Sequence, residues 1–186
     1  FVENFDTTTS PVLPTCWTAF IRTEDGFSAP VISTTASNSI TAPNSIFMTP
    51  GSHVTVDTEN DAILVSPKLS TVGSGTHRLK FSAKGGESLQ VGTMSGTTKN
   101  AVFNALENVG LTNNYQEYTV DFSNYQGSDS FFAIRINNAS AYTYTYIENV
   151  RWEMSPACPD VQNLVLEAVS PSSATISWEE SGTESA

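Results

Sequence analysis

The chain has 186 residues, enough for one substantial domain and part of a second. With 8 basic and 19 acidic residues its formal net charge is −11, which argues against nucleic acid and anionic membranes as partners. Hydrophobic residues make up 39% of the chain and charged residues only 15%, and no apolar run reaches the roughly 18 residues of a membrane helix. The composition is compatible with binding cations, neutral sugars or proteins.

The first residues are FVENFD, without an initiator Met, so we expect a piece of a longer precursor. Two cysteines, Cys16 and Cys158, lie near opposite ends of the main domain. Two cysteines and no third are the minimal disulfide pattern of a secreted protein. We therefore predict a Cys16–Cys158 bridge, with two buried free thiols as the alternative.

Short runs that alternate apolar and polar residues recur between residues 1 and 155, with turn signals between them. Only NAVFNALENVG, residues 100–110, is a candidate for a short helix. About ten strands at this spacing predict two packed antiparallel sheets, an all-β sandwich of the jelly-roll type. The strand-like runs are FVENF, TAFIR, SIFMT, HVTVD, AILVSP, HRLKFSAK, SLQVGTMSG, YQEYTVDF and SFFAIRIN.

The stretch SAYTYTYIENVRWE, residues 140–153, predicts the last strand of this domain. Strict alternation predicts one aromatic and aliphatic face that carries a carboxylate, formed by Tyr142, Tyr144, Tyr146, Glu148, Val150 and Trp152. We predict that the tyrosines pack in the core, with an exposed sugar-stacking platform as the alternative. The two predicted ligand-binding residues are Tyr142, next to the preceding loop, and Phe27, in the loop after TEDG.

The first strand repeats this pattern, because Glu3 lies between the core-type residues Phe1 and Phe5. A buried carboxylate must be protonated, paired with a basic residue such as Arg135, or bound to a metal. In jelly rolls the first and last strands often lie side by side, which would bring Glu3 and Glu148 together.

We therefore predict a structural Ca²⁺ ion between these strands, since Ca²⁺ prefers oxygen ligands. The alternative is that strand twist or a bulge turns one glutamate to solvent. The predicted ligands are Glu3 and Glu148, with Asp6 next, followed by the loop residues Asn38, Asn60 and Asp61.

Several segments, in this order, resemble the cleaved-adhesin or choice-of-anchor J domains, MAM-like jelly rolls of bacterial surface proteins. They are FVENFD, LPTCW, AILVSPKL, and YQEYTVDFSNYQGSDSFFAIRINN followed by YTYIENV. The family's last strand commonly reads Ile-Asp-Asp-Val; here Glu148 and Asn149 take the place of the two Asp residues. The resemblance covers residues 1–154 and implies non-catalytic adhesion or substrate binding with bound calcium.

At Pro156 the sequence changes character, and residues 156–186 read as a linker and two strands. SATISW, residues 173–178, resembles the second strand of a fibronectin type III domain, whose Trp belongs to the core. The piece is far shorter than the roughly 100 residues of such a sandwich. We expect a modular parent protein, with the domain boundary at residues 155/156.

Motifs of common enzymes are missing from the sequence: there is no Gly-x-Ser-x-Gly, no His-Glu-x-x-His and no phosphate-binding loop. The only histidines, His53 and His77, lack metal-ligand spacing. The sequence thus predicts a non-enzymatic, calcium-stabilised module for adhesion or carbohydrate binding, outside the cell or on a bacterial cell surface. Its partner would be a glycan or a host or cell-surface protein. The alternatives are a structural spacer between neighbouring domains and a glycan-active hydrolase.

Overall fold

The computed structural model describes residues 1–22, 29–54, 62–98, 100–157 and 162–179. The chain divides into two compact units, Phe1–Met154 and Ser155–Ala186. Within the described residues there is no α-helix, and no helix long and apolar enough to cross a membrane was found. One turn of 3₁₀ helix spans Val72–Ser74.

The described residues of the first unit form eleven strands. They are β1 (Val2–Glu3), β2 (Thr18–Ile21), β3 (Val31–Thr35), β4 (Ser45–Thr49), β5 (Ala62–Val65), β6 (His77–Gly85), β7 (Ser88–Met94), β8 (Phe103–Gly110), β9 (Gln116–Asp121), β10 (Phe131–Ile136) and β11 (Thr145–Met154). All paired strands are antiparallel.

The strands form two sheets that pack face to face. Sheet A has the order β3-β4-β11-β6-β9, with β1 also paired to β11, and sheet B has the order β2-β5-β10-β7-β8. Apolar side chains of both sheets meet in one buried cluster, which includes Ile46, Phe81, Leu89, Ile134 and Ile147. The predicted all-β sandwich of jelly-roll type is confirmed.

The helix candidate at residues 100–110 was wrong, because most of this segment forms β8 at the edge of sheet B. Strand β8 pairs with β7, with Val109 opposite Leu89, and both side chains are buried. The remaining β8 residues from Asn104 to Asn108 are exposed, as expected for an edge strand. Pairing with β7 satisfies the N–H and C=O groups along one side of β8. This pairing outweighs the weak helical pattern of the sequence.

Strand β11 contains a β-bulge that changes which side chains face the core. Glu148 lies opposite Ser82, but the next recorded pair is Arg151 with Lys80, so β11 carries one extra residue there. Asn149, inside the bulge, has a φ of 51°, in the left-handed region. Ile147 and Val150 are consequently both fully buried, although strict alternation would place them on opposite faces.

The prediction of a single core face along this strand was therefore wrong. Before the bulge, Thr145 and Ile147 face the core, while Tyr144 and Tyr146 lie on the outer face of sheet A. After the bulge the core-facing residues are those that the sequence predicted, and they include Trp152. The Trp152 ring stacks on Phe132 with ring centroids 5.5 Å apart.

The expected pairing of the first and last strands is confirmed. In β1, Val2 lies opposite Arg151 and Glu3 opposite Val150. The N-terminal ammonium donates to the Trp152 carbonyl at 2.7 Å, and the Trp152 N–H donates to the Phe1 carbonyl at 3.0 Å. The chain terminus is thus fixed to the C-terminal half of β11.

The second unit contains the antiparallel pair β12 (Gln162–Ser170) and β13 (Ser173–Glu179). Leu166 lies opposite Ile176, and Trp178 is 53% exposed. A two-stranded hairpin cannot bury such a side chain by itself. The resemblance to the start of a type III domain stays a prediction.

The positive φ of Asn149 in the bulge predicts how substitutions at this position change the stability of the fold. Replacing it by Ala forces a residue with Cβ but no compensating polar side chain into the left-handed region, at a cost of about 1 kcal/mol. Asn149→Gly adopts that conformation without strain and should stay close to the wild type. Urea denaturation of both variants measures the difference, and equal stability of Ala and Gly would contradict the requirement for positive φ.

Candidate functional site

The Glu148 carboxylate is fully buried although it lies on the outer face of sheet A. Residues 36–44, between β3 and β4, supply its hydrogen-bond donors, and we call them the β3–β4 segment. Glu148 Oε1 accepts a hydrogen bond from the Ile40 N–H at 2.7 Å. Glu148 Oε2 accepts hydrogen bonds from the Thr41 N–H at 3.1 Å and from the Thr41 hydroxyl at 3.2 Å. The carboxylate therefore fixes the middle of this segment to β11.

Asp6 fixes the end of the same segment. Its Oδ1 accepts a hydrogen bond from the Asn44 N–H at 3.0 Å, and its Oδ2 accepts from the Asn4 side-chain amide at 2.8 Å. The Asn44 side chain in turn donates to the Thr8 carbonyl at 2.7 Å. Two acidic residues from opposite ends of the first unit thus hold one loop.

Burial raises the pKa of Glu148, and the nearby Asp6 carboxylate adds to this increase. Hydrogen bonds from Thr41 and Ile40 act in the opposite direction because they stabilise the charged form. Among the described residues, no salt bridge is found for Glu148 or Asp6. Arg135, the basic residue considered as a partner, instead lies in sheet B, where its Nε donates to Gln90 Oε1 at 2.9 Å.

The other predicted calcium ligands occupy different surroundings. One Glu3 carboxylate oxygen accepts a hydrogen bond from the Phe5 N–H at 2.7 Å. Asn38 Oδ1 accepts from Lys84 Nζ at 3.0 Å, and the Asn38 carbonyl accepts from the Tyr115 hydroxyl. Asn60 and Asp61 lie outside the described residues.

The predicted disulfide stays a prediction. Cys16 is exposed and carries no bridge to another described residue, and Cys158 lies outside the described residues. The backbone of Cys16 has a φ of 72°, at the corner that precedes the buried Trp17.

The oxygen chemistry around Asp6 and Glu148 fits a hard cation such as Ca²⁺. A carboxylate oxygen can accept two hydrogen bonds, and Asp6 Oδ1, Asp6 Oδ2 and Glu148 Oε1 each accept one here. Within the described part of the chain, no group of three or more His, Cys, Asp or Glu side chains is arranged to hold a metal. A cation at this position would therefore need backbone, hydroxyl or water oxygens to complete its ligand set.

A second feature, which we call the aromatic groove, lies on the outer face of sheet A. It has a volume of about 320 Å³ and is lined by Thr35, Ser37, Phe47, Tyr144 and Tyr146. The Phe47 ring contacts Tyr144 at a centroid distance of 5.7 Å and Tyr146 at 5.6 Å. Tyr144 is 54% exposed, so the groove offers an aromatic surface to a ligand.

Strand pairing explains why these rings meet. Tyr146 on β11 lies opposite Phe47 on β4 and, on its other side, opposite Lys84 on β6. The Lys84 ammonium lies 5.5 Å from the centre of the Tyr146 ring and 5.0 Å from that of Tyr115. The cation therefore supports the groove at one side without lining it.

Hydroxyl groups border the rings. The Thr35 and Ser37 hydroxyls form a hydrogen bond of 3.0 Å with each other, which leaves one hydroxyl proton for a ligand. Ser37 belongs to the β3–β4 segment, and the Ser45 hydroxyl donates to its carbonyl at 3.1 Å. The groove thus shares the segment that Glu148 and Asp6 hold.

The sequence predicted only some of the exposed aromatic residues. Tyr142, which the sequence predicted to be available to a ligand, is 54% exposed. The core packing predicted for the tyrosines was wrong for Tyr144, which is also 54% exposed, and Tyr146 lines the groove half-buried. Tyr142 does not line the groove, and Phe27 lies outside the described residues. Phe47 was missed, although SIFMT carries a signal: with Ile46 and Met48 in the core, Phe47 must face outwards.

No family model and no curated protein sequence matches this chain. Solved structures share its fold at low sequence identity. The K2 cleaved adhesin domain of Lys-gingipain has a TM-score of 0.61 and 16% identity over 83% of this chain and 98% of that domain. The K1 domain of Lys-gingipain from Porphyromonas gingivalis W83 has a TM-score of 0.59 and 15% identity over 84% and 98%.

A third similar structure is the CBM22-1 xylan-binding domain of Xyn10C from Paenibacillus barcinonensis. Its TM-score is 0.54, with 13% identity over 85% of this chain and 95% of that domain. At these identities the similarity establishes the jelly-roll β-sandwich shared by adhesin and carbohydrate-binding domains.

The raised pKa of Glu148 predicts a pH dependence of stability in EDTA. Because its pKa is higher in the folded than in the unfolded state, the folded state binds more protons between the two values. The contribution of Glu148 to stability therefore falls as the pH rises through this window, from about 4 upwards. Urea denaturation should show that the wild type loses stability relative to Glu148→Gln as the pH rises, whereas a constant difference would contradict the raised pKa.

Proposed function

We propose that the chain is a non-catalytic, calcium-stabilised adhesion or carbohydrate-binding module that binds glycans in the aromatic groove. The observation that carries this proposal is the contact of Phe47 with Tyr144 and Tyr146 on the outer face of a rigid sheet. The negative face of an aromatic ring attracts the weakly positive C–H groups of a pyranose. The hydroxyls of Thr35 and Ser37 supply hydrogen bonds at the rim.

The lining of the groove supports binding over hydrolysis. In the part of the chain that the structure describes, no Asp, Glu, His or Cys lines the groove, whereas glycoside hydrolysis uses a pair of carboxylates. The nearest carboxylate along β11, Glu148, is fully buried and already accepts three hydrogen bonds. A sugar in the groove therefore meets rings and hydroxyls, but no acid or base.

The similar structures support the same class of function. Two are cleaved adhesin domains and one is a xylan-binding domain. Such domains act outside the cell, so we assign this chain to the extracellular space or the cell surface. The alternative ligand for an adhesion module is a protein on a host or bacterial surface.

Calcium is the proposed structural cofactor, with Asp6 and Glu148 as its principal ligands and Glu3 as a further carboxylate of β1. The mutual repulsion of Asp6 and Glu148, with no salt bridge to a described basic residue, supports a cation at this position. When bound, the ion would neutralise these charges and join β1, β11 and the β3–β4 segment. Its role in this proposal is stability of the fold.

If glycans bind in the groove, replacing two equally exposed tyrosines should have different effects on glycan affinity. Tyr144→Ala removes a ring that lines the groove and should reduce glycan affinity by about tenfold, the effect of losing roughly 1.4 kcal/mol. Tyr142→Ala is the matched control, because Tyr142 is as exposed as Tyr144 at 54% but does not line the groove.

The measurement is a glycan-array screen in calcium, followed by titration calorimetry of each variant with the best glycan. Equal losses in both variants would contradict the groove as the binding site. A folded wild type that binds no glycan would contradict glycan binding and favour a protein-directed adhesin or a spacer.

Calcium binding predicts a thermal shift that depends on Asp6. Calcium at about 100 times its Kd should stabilise the wild type by about 2.7 kcal/mol, and EDTA should reverse the shift. Asp6→Asn should lose most of this response because it removes a charged ligand. Glu153→Gln removes the same charge from the outward side of β11, where Glu153 pairs with Arg78 at 2.8 Å, and should respond like the wild type. An unchanged response in Asp6→Asn would exclude this calcium site.

A further inference from the structure

The three rings of the aromatic groove are not coplanar, and this restricts the shape of a glycan that they bind. The Phe47 ring is inclined by 39° to Tyr144 and by 44° to Tyr146. A pyranose stacks with its C–H face parallel to the ring below it. Sugars stacked on neighbouring rings must therefore present faces that are turned relative to each other.

We propose that the groove takes a single, twisted chain of uncharged sugars from solution, and not the flat face of a crystalline polysaccharide. This inference rests on the proposed glycan-binding function and specifies the class of ligand. In a crystalline polysaccharide the exposed sugar faces are coplanar. Such a surface can stack on Phe47 or on the tyrosines, but not on Phe47 together with either tyrosine.

The spacing of the rings fits consecutive sugars of one chain. The centroids of the contacting rings are 5.7 Å and 5.6 Å apart, close to the length of one pyranose unit. Phe47 on β4 contacts Tyr146 on β11 and also Tyr144, which directly precedes β11, so a sugar chain stacked on Phe47 and Tyr146 crosses both strands. A groove of about 320 Å³ at the surface accommodates a short stretch of a longer chain.

The polar groups of the groove favour uncharged sugars. Among the described residues, its lining contains no charged side chain, and the polar side-chain atoms there are the hydroxyls of Thr35, Ser37, Tyr144 and Tyr146. The nearest cation, Lys84, donates to Asn38 Oδ1 at 3.0 Å and lies over two tyrosine rings. The net charge of −11 repels polyanionic glycans from the protein as a whole.

The experiment compares the same sugars in two physical forms. The soluble probes are hexasaccharides of β-1,4-linked glucose, N-acetylglucosamine, xylose and mannose, measured by calorimetry with the full chain. The crystalline probes are cellulose and chitin powders, measured by depletion of protein from solution. Polygalacturonate represents acidic glycans.

We expect binding to at least one soluble hexasaccharide, a loss of about tenfold in Tyr146→Ala, and no retention on either powder. Tyr142→Ala, outside the groove, should bind like the wild type. Melting curves establish that every variant is folded. Because Tyr146 contributes to the packing of β11, Tyr144→Ala serves as a second, more exposed test of the same groove.

The outcomes separate this inference from the proposed function. Retention on a powder that Tyr144→Ala abolishes would overturn the inference and keep the glycan-binding groove. Groove-dependent binding to polygalacturonate alone would overturn the preference for uncharged sugars in the same way. Failure of the folded wild type to bind any probe would overturn both.

Discussion

One extra residue in β11 determines the arrangement of the whole sheet A surface. The bulge between Glu148 and Arg151 places Val150 and Trp152 in the core, while Tyr146, before the bulge, and the adjacent Tyr144 face outwards. Without it, either the aromatic groove or the C-terminal half of the core would lie on the wrong face. Asn149 tolerates the required positive φ better than most residues, because Asn is enriched in the left-handed region.

The bulge also explains how a carboxylate is buried outside the main core. Glu148 faces away from the sandwich interior, and the β3–β4 segment covers it and donates hydrogen bonds from Ile40 and Thr41. Hydrogen bonds to a charged group contribute roughly 1.5–3 kcal/mol each and offset the cost of removing the carboxylate from water. The same segment contributes Ser37 to the groove, so the carboxylate site and the aromatic groove share a wall.

The sequence predicted the features that follow from simple periodicity. The sandwich and the pairing of β1 with β11 follow from alternating runs, and an acid at an apolar position singled out Glu148. The sequence predicted Glu148 as a calcium ligand, however, and not as an acceptor that holds the β3–β4 segment. Prediction from the sequence failed where one extra residue changes the strand register. A β-bulge has no reliable sequence signature, and it reverses the face of the sheet on which each preceding side chain lies. The sequence also could not predict that the N–H groups of residues 40 and 41 donate to Glu148, because these residues are distant from Glu148 in the chain and only the fold brings them together.

The position of the rings on strands has a consequence for binding. Side chains on paired strands of a sheet are held by their neighbours, so Phe47 and Tyr146 lose little conformational freedom when a ligand arrives. Rings on a mobile loop would have to be ordered by the ligand, which would reduce the free energy available for binding. The sheet therefore fixes the relative inclination of the rings before binding, and this fixed inclination allows the groove to select the shape of its ligand.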